Sequence, residues 1–175
     1  MNIVTFLGSP RLNANSARLL TYIEKVCESR GHSVHRIRNV GSCVHCSKCV
    51  EDRNCVIPDH FSSDIVAKAD AIILASPLYF FSLTSKALSF LSRLYSVDLE
   101  GKILLPIIVS GSNFEDSGID IVRQQFSAID RYCGTLTLQP YHKVTYDKIW
   151  EVSDLDKEGL LLSVERMEGL YESTN

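Results

Sequence analysis

Long apolar runs are missing from this 175-residue chain: the longest, Ala71 to Leu83, is broken by Ser76 and Pro77 and falls short of the roughly 20 residues a membrane-spanning helix needs. A membrane span is therefore not expected. Blocks of basic residues are missing too, and a formal net charge of −3 offers no electrostatic footprint for nucleic acid or an anionic membrane. The opening Met1-Asn2-Ile3-Val4 has neither the basic start nor the cleavage site of a secretory leader. A reducing, cytoplasmic setting is the expectation, and there the six cysteines are not a disulfide framework. No low-complexity tract or short-period repeat interrupts the chain. With 45% hydrophobic and 22% charged residues, its length fits a single domain over residues 1–175.

Glycine is scarce where two nucleotide-binding motifs would demand it. The apolar run Ile3-Val4-Thr5-Phe6-Leu7 enters a polar loop, Gly8-Ser9-Pro10-Arg11-Leu12-Asn13-Ala14-Asn15-Ser16, with a helix pattern behind it. A dinucleotide fingerprint needs three glycines and an acidic residue at the end of the second strand; this loop has Gly8 alone, and the second strand ends in Ile37-Arg38-Asn39. The Gly-Lys-Ser/Thr of a Walker loop is also absent. What the loop does have is a set of anion ligands at a strand-to-helix junction, where backbone N–H groups and the helix N-terminus favour negative charge. Ser9, Asn13, Asn15 and Ser16 can donate to phosphate oxygens, Arg11 can form a charge-assisted fork, and Pro10 stiffens the turn. A plain turn would need one such side chain as N-cap, Asn15 or Ser16, rather than four and an arginine. A terminal monophosphate, as on FMN, fits this loop.

Helical spacing marks helices over residues 16–30, from Phe61 to Ala69 with Asp59 or Ser62 as cap, through Ala87, Leu88, Leu91 and Leu94, from Ile119 to Cys133 before Gly134, and from Leu155 to Tyr171. Between them lie a polar second strand near Val34 to Arg38, the apolar strands 71–75 and 104–109, and an alternating fifth strand, Thr135 to Gln139. Pro106 is expected near the start of its strand, not in mid-ladder. Strands alternating with helices predict an α/β fold: a doubly wound five-stranded parallel sheet whose ligands sit beyond the carboxyl ends of the strands. With strand order 2-1-3-4-5, the Ser9 loop, the loop 76–81 and Ser110-Gly111 converge there.

Pro77-Leu78-Tyr79-Phe80-Phe81 places three aromatics beyond a buried strand, where a flat ring system such as isoalloxazine would partner them. Sealing of the core or of a subunit contact would use them as well. Gly8-Ser9-Pro10-Arg11 with Asn15-Ser16, then Ser76-Pro77-Leu78-Tyr79 leading into 83–88, resembles the NADPH-dependent FMN reductases of the flavodoxin-like fold. The resemblance implies that Ser9, Arg11, Asn15 and Ser16 bind FMN phosphate, that Pro77, Leu78, Tyr79 and Phe80 border the ring, and that Ser110 and Gly111 face its far edge. It departs from the pattern at Gly111-Ser112-Asn113, where members often carry two or three glycines.

Cys43-x2-Cys46-x2-Cys49-x5-Cys55, in the irregular loop 41–58, can grip one soft metal centre. Zinc, an iron-sulfur cluster or no metal at all remain open from the residues. The same spacing resembles iron-sulfur flavoproteins, relatives that carry a 4Fe-4S cluster in this place. The expected activity is an NAD(P)H-dependent flavin oxidoreductase passing electrons to a flavin, quinone or protein acceptor, with no catalytic side chain and with a homodimer or higher oligomer implied by the family. A flavodoxin-like electron carrier and a cysteine-loop redox or metal sensor are the alternatives.

Overall fold

A computed structural model of the protein describes residues 1–112, 116–149 and 151–174. In chain order its elements are β1 (Asn2–Leu7), α1 (Asn15–Ser29), β2 (Ser33–Ile37), α2 (Lys48–Asp52), α3 (Ser63–Ala67), β3 (Ala71–Tyr79), β4 (Ser82–Leu83), α4 (Ser85–Arg93), β5 (Ile103–Ser110), α5 (Ile119–Cys133), β6 (Leu136–Thr137), β7 (Tyr141–Val144) and α6 (Asp154–Thr174). β2, β1, β3 and β5 pair in that order, all parallel, and β5 carries β6 and β7 on its outer side. The fold is flavodoxin-like, with the expected 2-1-3-4-5 order once β6 and β7 count as one broken fifth strand. No helix among the described residues is long and apolar enough to cross a membrane.

Alternation along the strands divides the core in two. Val4, Phe6, Ile72, Leu74, Leu104 and Ile108 face α3, α4 and α5, where Phe6 stacks on Phe90 with ring centroids 4.3 Å apart. Ile3, Leu7, Ile73, Leu105 and Ile107 face α1 and α6, meeting Leu19, Ile23, Leu160 and Val164. Because helices cover both faces, β3 and β5 read as continuous apolar runs. On the outer edge Asp156, at the start of α6, is buried; it accepts from Tyr141 Oη at 2.6 Å and Ser153 Oγ at 2.5 Å, and pairs with Lys143 at 2.8 Å, which ties β7 to α6.

The structure decides between the cap candidates and corrects the reading of the strands. α1 begins at Asn15 with Ala14 as N-cap, so neither Asn15 nor Ser16 caps it. α3 is capped by Ser62, whose Oγ accepts from Ile65 N, while Asp59 is engaged by Arg93. The third strand does not stop at Ala75: Pro77 pairs with Val109 and Leu78 with Leu83, so both lie in β3 and the turn shrinks to Phe80-Phe81. Pro106 sits in mid-strand, between partners on both sides of its sequence. Leu138 N donates to Leu104 O on the outer side of β5, so two residues on, the N–H that Pro106 lacks would face the same way. There the neighbouring strand is interrupted at 138–140, around Pro140, and no ladder bond is lost.

Candidate functional site

The Ser9 loop is held from behind. Gly8 N donates to Ala75 O at 2.7 Å, and Gly8 O accepts from Thr84 Oγ1 at 2.5 Å; Thr84 also caps α4, its Oγ1 accepting from Ala87 N. A Cβ on Gly8 would lie 2.7 Å from Ala87 Cβ, so only glycine lets the loop seat this close. Ser9 is fully buried and its Oγ accepts from Arg11 N at 3.1 Å. Ser16 Oγ is buried with no hydrogen-bond partner, at the first turn of a helix whose N-cap supplies no side-chain acceptor. Arg11 reaches Tyr79 Oη at 3.4 Å and so links the first loop to the end of β3; Asn13 is exposed.

Asn15 has a different task from the one its position implied. Its Nδ2 donates to Asp147 O and its Oδ1 accepts from Ile149 N, both at 2.8 Å, so the amide fastens the segment after β7 to the start of α1. That segment brings Tyr146 over Gly111, where an added Cβ would stand 3.1 Å from the ring. Neither Tyr146 nor its loop was singled out by sequence; an exposed tyrosine in a polar stretch carried the only signal.

Of the second loop's residues, Pro77 and Leu78 are buried in β3, while Tyr79 is 45% and Phe80 94% exposed. Phe80 and Phe81 both have positive φ, 50° and 64°, the backbone of a tight hairpin turn usually given to Asn-Gly. Ser110 ends β5; its Oγ donates to Ser112 O at 2.8 Å and lies 2.7 Å from His142 Nε2. Burial, with Arg123 nearby, pulls His142 below the usual histidine range. Asn113 lies outside the described residues.

The cysteine loop is pinned at its ends. The buried Arg93 donates to Gly41 O at 3.1 Å and to both oxygens of Asp59, at 2.8 and 3.2 Å, and Cys55 N donates to Ser63 Oγ. Burial would raise the Asp59 carboxyl, but hydrogen bonds from Arg93, Gly41 N and Phe61 N outweigh it and hold the group below its usual range. Between the pins α2 buries no residue. Cys43, Cys49 and Cys55 line a cavity of about 590 Å³ together with Leu91, Leu94 and Cys133; Cys46 is exposed and is not part of that lining. Among the described residues no three His, Cys, Asp or Glu side chains are grouped to hold a metal.

The sequence pattern of the NADPH-dependent FMN reductase family matches residues 1–145. The chain belongs to that family. Over 100 residues this FMN reductase homologue is 31% identical to an iron-sulfur flavoprotein of Archaeoglobus fulgidus, a match covering 54% of the chain and 46% of that protein, about half its length. In three dimensions it resembles an NADH:FMN oxidoreductase (TM-score 0.68, 21% identity, 98% of this chain and 89% of that one). It also resembles the oxidised flavodoxin 1 of Bacillus cereus (TM-score 0.65, 16% identity, 97% and 98%). At these identities the likeness concerns the fold.

Proposed function

We propose that the protein is an FMN-dependent oxidoreductase that draws on NAD(P)H and delivers electrons to a flavin, quinone or protein acceptor. The observation that carries this reading is Ser16 Oγ, a buried donor with nothing to donate to at the end of the Ser9 loop. An unmade buried hydrogen bond costs about 1–3 kcal/mol, and a phosphate oxygen would remove that cost. In this reading Ser9, Arg11, Asn13 and Ser16 hold the phosphate, and Asn15 shapes the cradle by fastening residues 147–149. Tyr79 and Phe80 flank the ring, with Pro77 and Leu78 fixing their backbone, and Ser110 and Gly111 stand at the far edge under Tyr146. Bound FMN would supply the hydride-accepting centre, so no side chain is assigned as nucleophile or base.

The cysteine loop fits a thiophilic centre in its donor chemistry. Three thiols line one cavity, and Arg93 Nε, buried without a partner, is a donor suited to a sulfur ligand. Cys43, Cys46, Cys49 and Cys55 would hold a 4Fe-4S cluster after the exposed Cys46 turns inward. Iron and acid-labile sulfide analysis of protein made without oxygen tests this, with Cys46→Ser expected to lose both. The exposed Leu12, Phe80 and Tyr146 are the surface a second copy would cover, which light scattering reads directly.

Quenching of FMN fluorescence on titration with protein tests the flavin reading. Anaerobic mixing of the loaded protein with NADPH or NADH should then bleach the flavin absorbance; no bleaching with either would remove the reductase assignment and leave a carrier.

A further inference from the structure

We propose that Lys86 is a further determinant of phosphate binding, a positioning residue that sets a positive charge behind the Ser9 loop. The proposal rests on the assignment of that loop to the FMN phosphate.

The geometry begins with Thr84. Because its hydroxyl bonds Gly8 O while capping α4, the second residue of α4 is carried to the back of the loop. Lys86 Nζ there donates to Ser9 O at 3.5 Å and lies 5.7 Å from the centroid of the Phe6 ring. The contact with Ser9 is long, and it places the ammonium on the carbonyl side of the loop. The ammonium is partly desolvated, and burial lowers it from the usual lysine range.

Lys86 has no counter-charge beside it among the described residues. Arg30, Arg36, Arg93 and Lys143 are each paired with a carboxylate, of Glu168, Glu24, Asp59 and Asp156 respectively. Among the described residues no carboxylate pairs with Lys86. The cause is visible in the sequence: residues 1–23 and 71–97, which build this corner, contain no aspartate or glutamate, yet carry Arg11, Arg18, Lys86 and Arg93. A partly desolvated cation is unfavourable unless something compensates it; no carboxylate among the described residues does so, and a bound anion would. A phosphate dianion seated between Ser9, Arg11 and Ser16 would supply it, and the interaction is strengthened by the same desolvation that is unfavourable without it.

The test compares wild-type protein with Lys86→Met, which keeps the aliphatic stem over Phe6, and Lys86→Arg, which keeps the charge. Dissociation constants for FMN and for riboflavin are read by fluorescence, and the ligand-free melting temperature by calorimetry. The expectation for Lys86→Met is FMN binding weakened about tenfold with a shallower salt dependence, riboflavin binding unchanged, and a ligand-free melting temperature equal to or above wild type. Lys86→Arg should restore most of the FMN affinity. Unchanged FMN affinity, an equal loss for riboflavin, or a lowered melting temperature in ligand-free Lys86→Met would overturn the proposal, the last by making the lysine a structural strut. A wild-type protein that bound neither flavin would instead overturn the flavin assignment. In that event, thermal protection by inorganic phosphate, present in wild type and lost in Lys86→Met, would still uphold the charge behind the loop, and equal protection of both would reject it.

Discussion

Arg11 and Asn15 are four positions apart and were read alike from sequence, but they work in different places. Arg11 suggests itself from sequence because a fork beside a strand-to-helix turn points at whatever anion the turn binds, whereas the contact it makes with Tyr79 Oη spans 68 residues. Replacing it by alanine should weaken FMN binding by roughly ten- to a hundredfold, the worth of a charge-assisted bond, with Arg11→Lys only partly restoring it because an ammonium cannot fork; isothermal titration gives both numbers. Asn15 was not legible, since its partners Asp147 and Ile149 lie more than 130 residues away in sequence. Asn15→Ala should lower stability by about 1–2 kcal/mol, measured as a drop in the urea midpoint at unchanged slope, by leaving a carbonyl and an N–H to water. Its FMN affinity should fall less than that of Arg11→Ala, because the cradle is loosened and none of its charge is removed.

Among the elements, the β3–β4 hairpin departs furthest from what its residues prefer. Two phenylalanines hold left-handed backbone that costs about 1–2 kcal/mol each for a residue with a Cβ, and Phe81 is further confined by Gly118, where an added Cβ would come within 2.6 Å of the Phe81 Cα. Such strain persists where surroundings enforce it, commonly at binding sites. Phe80→Asn with Phe81→Gly should therefore raise the melting temperature by several degrees, equivalent to about 1–2 kcal/mol, while slowing flavin reduction. A variant neither more stable nor slower would show that the turn is unstrained and idle. Hydrophobic pattern could not reveal this hairpin: Pro77 reads as a strand breaker, and only its pairing with Val109 shows that the ladder continues past it. The fifth strand was read only in part for a related reason: β6, Leu136–Thr137, lies within the alternating run Thr135 to Gln139, and the remainder of the edge is supplied by Tyr141–Val144.

At the scale of the whole molecule the order of strands was legible because buried parallel strands, amphipathic helices and short connections leave few topologies. The interior polar network was not, and it makes stability depend on pH. Burial alone would raise the Asp156 carboxyl, but Lys143, Ser153 and Tyr141 hold it below the usual range. A depressed folded-state value means that the contribution is complete above the unfolded carboxylate pKa, near 4, and is lost as pH falls below it. Urea midpoints should thus decline on acidification below about pH 4, and Asp156→Asn, less stable at neutral pH by about 2–4 kcal/mol, should show a flatter decline. Pro106 and Pro140, near the break in the outer edge, bear on crowding instead of acid. A strand recruits a stranger only along an unbroken row of bare N–H and C=O groups. Here that row is two residues, a gap facing Pro106, then four residues. When copies collide at high concentration none can extend the sheet from this edge for more than a few rungs, and the irregularity that obscured the fifth strand leaves β2 as the sheet's one unbroken edge among the described residues.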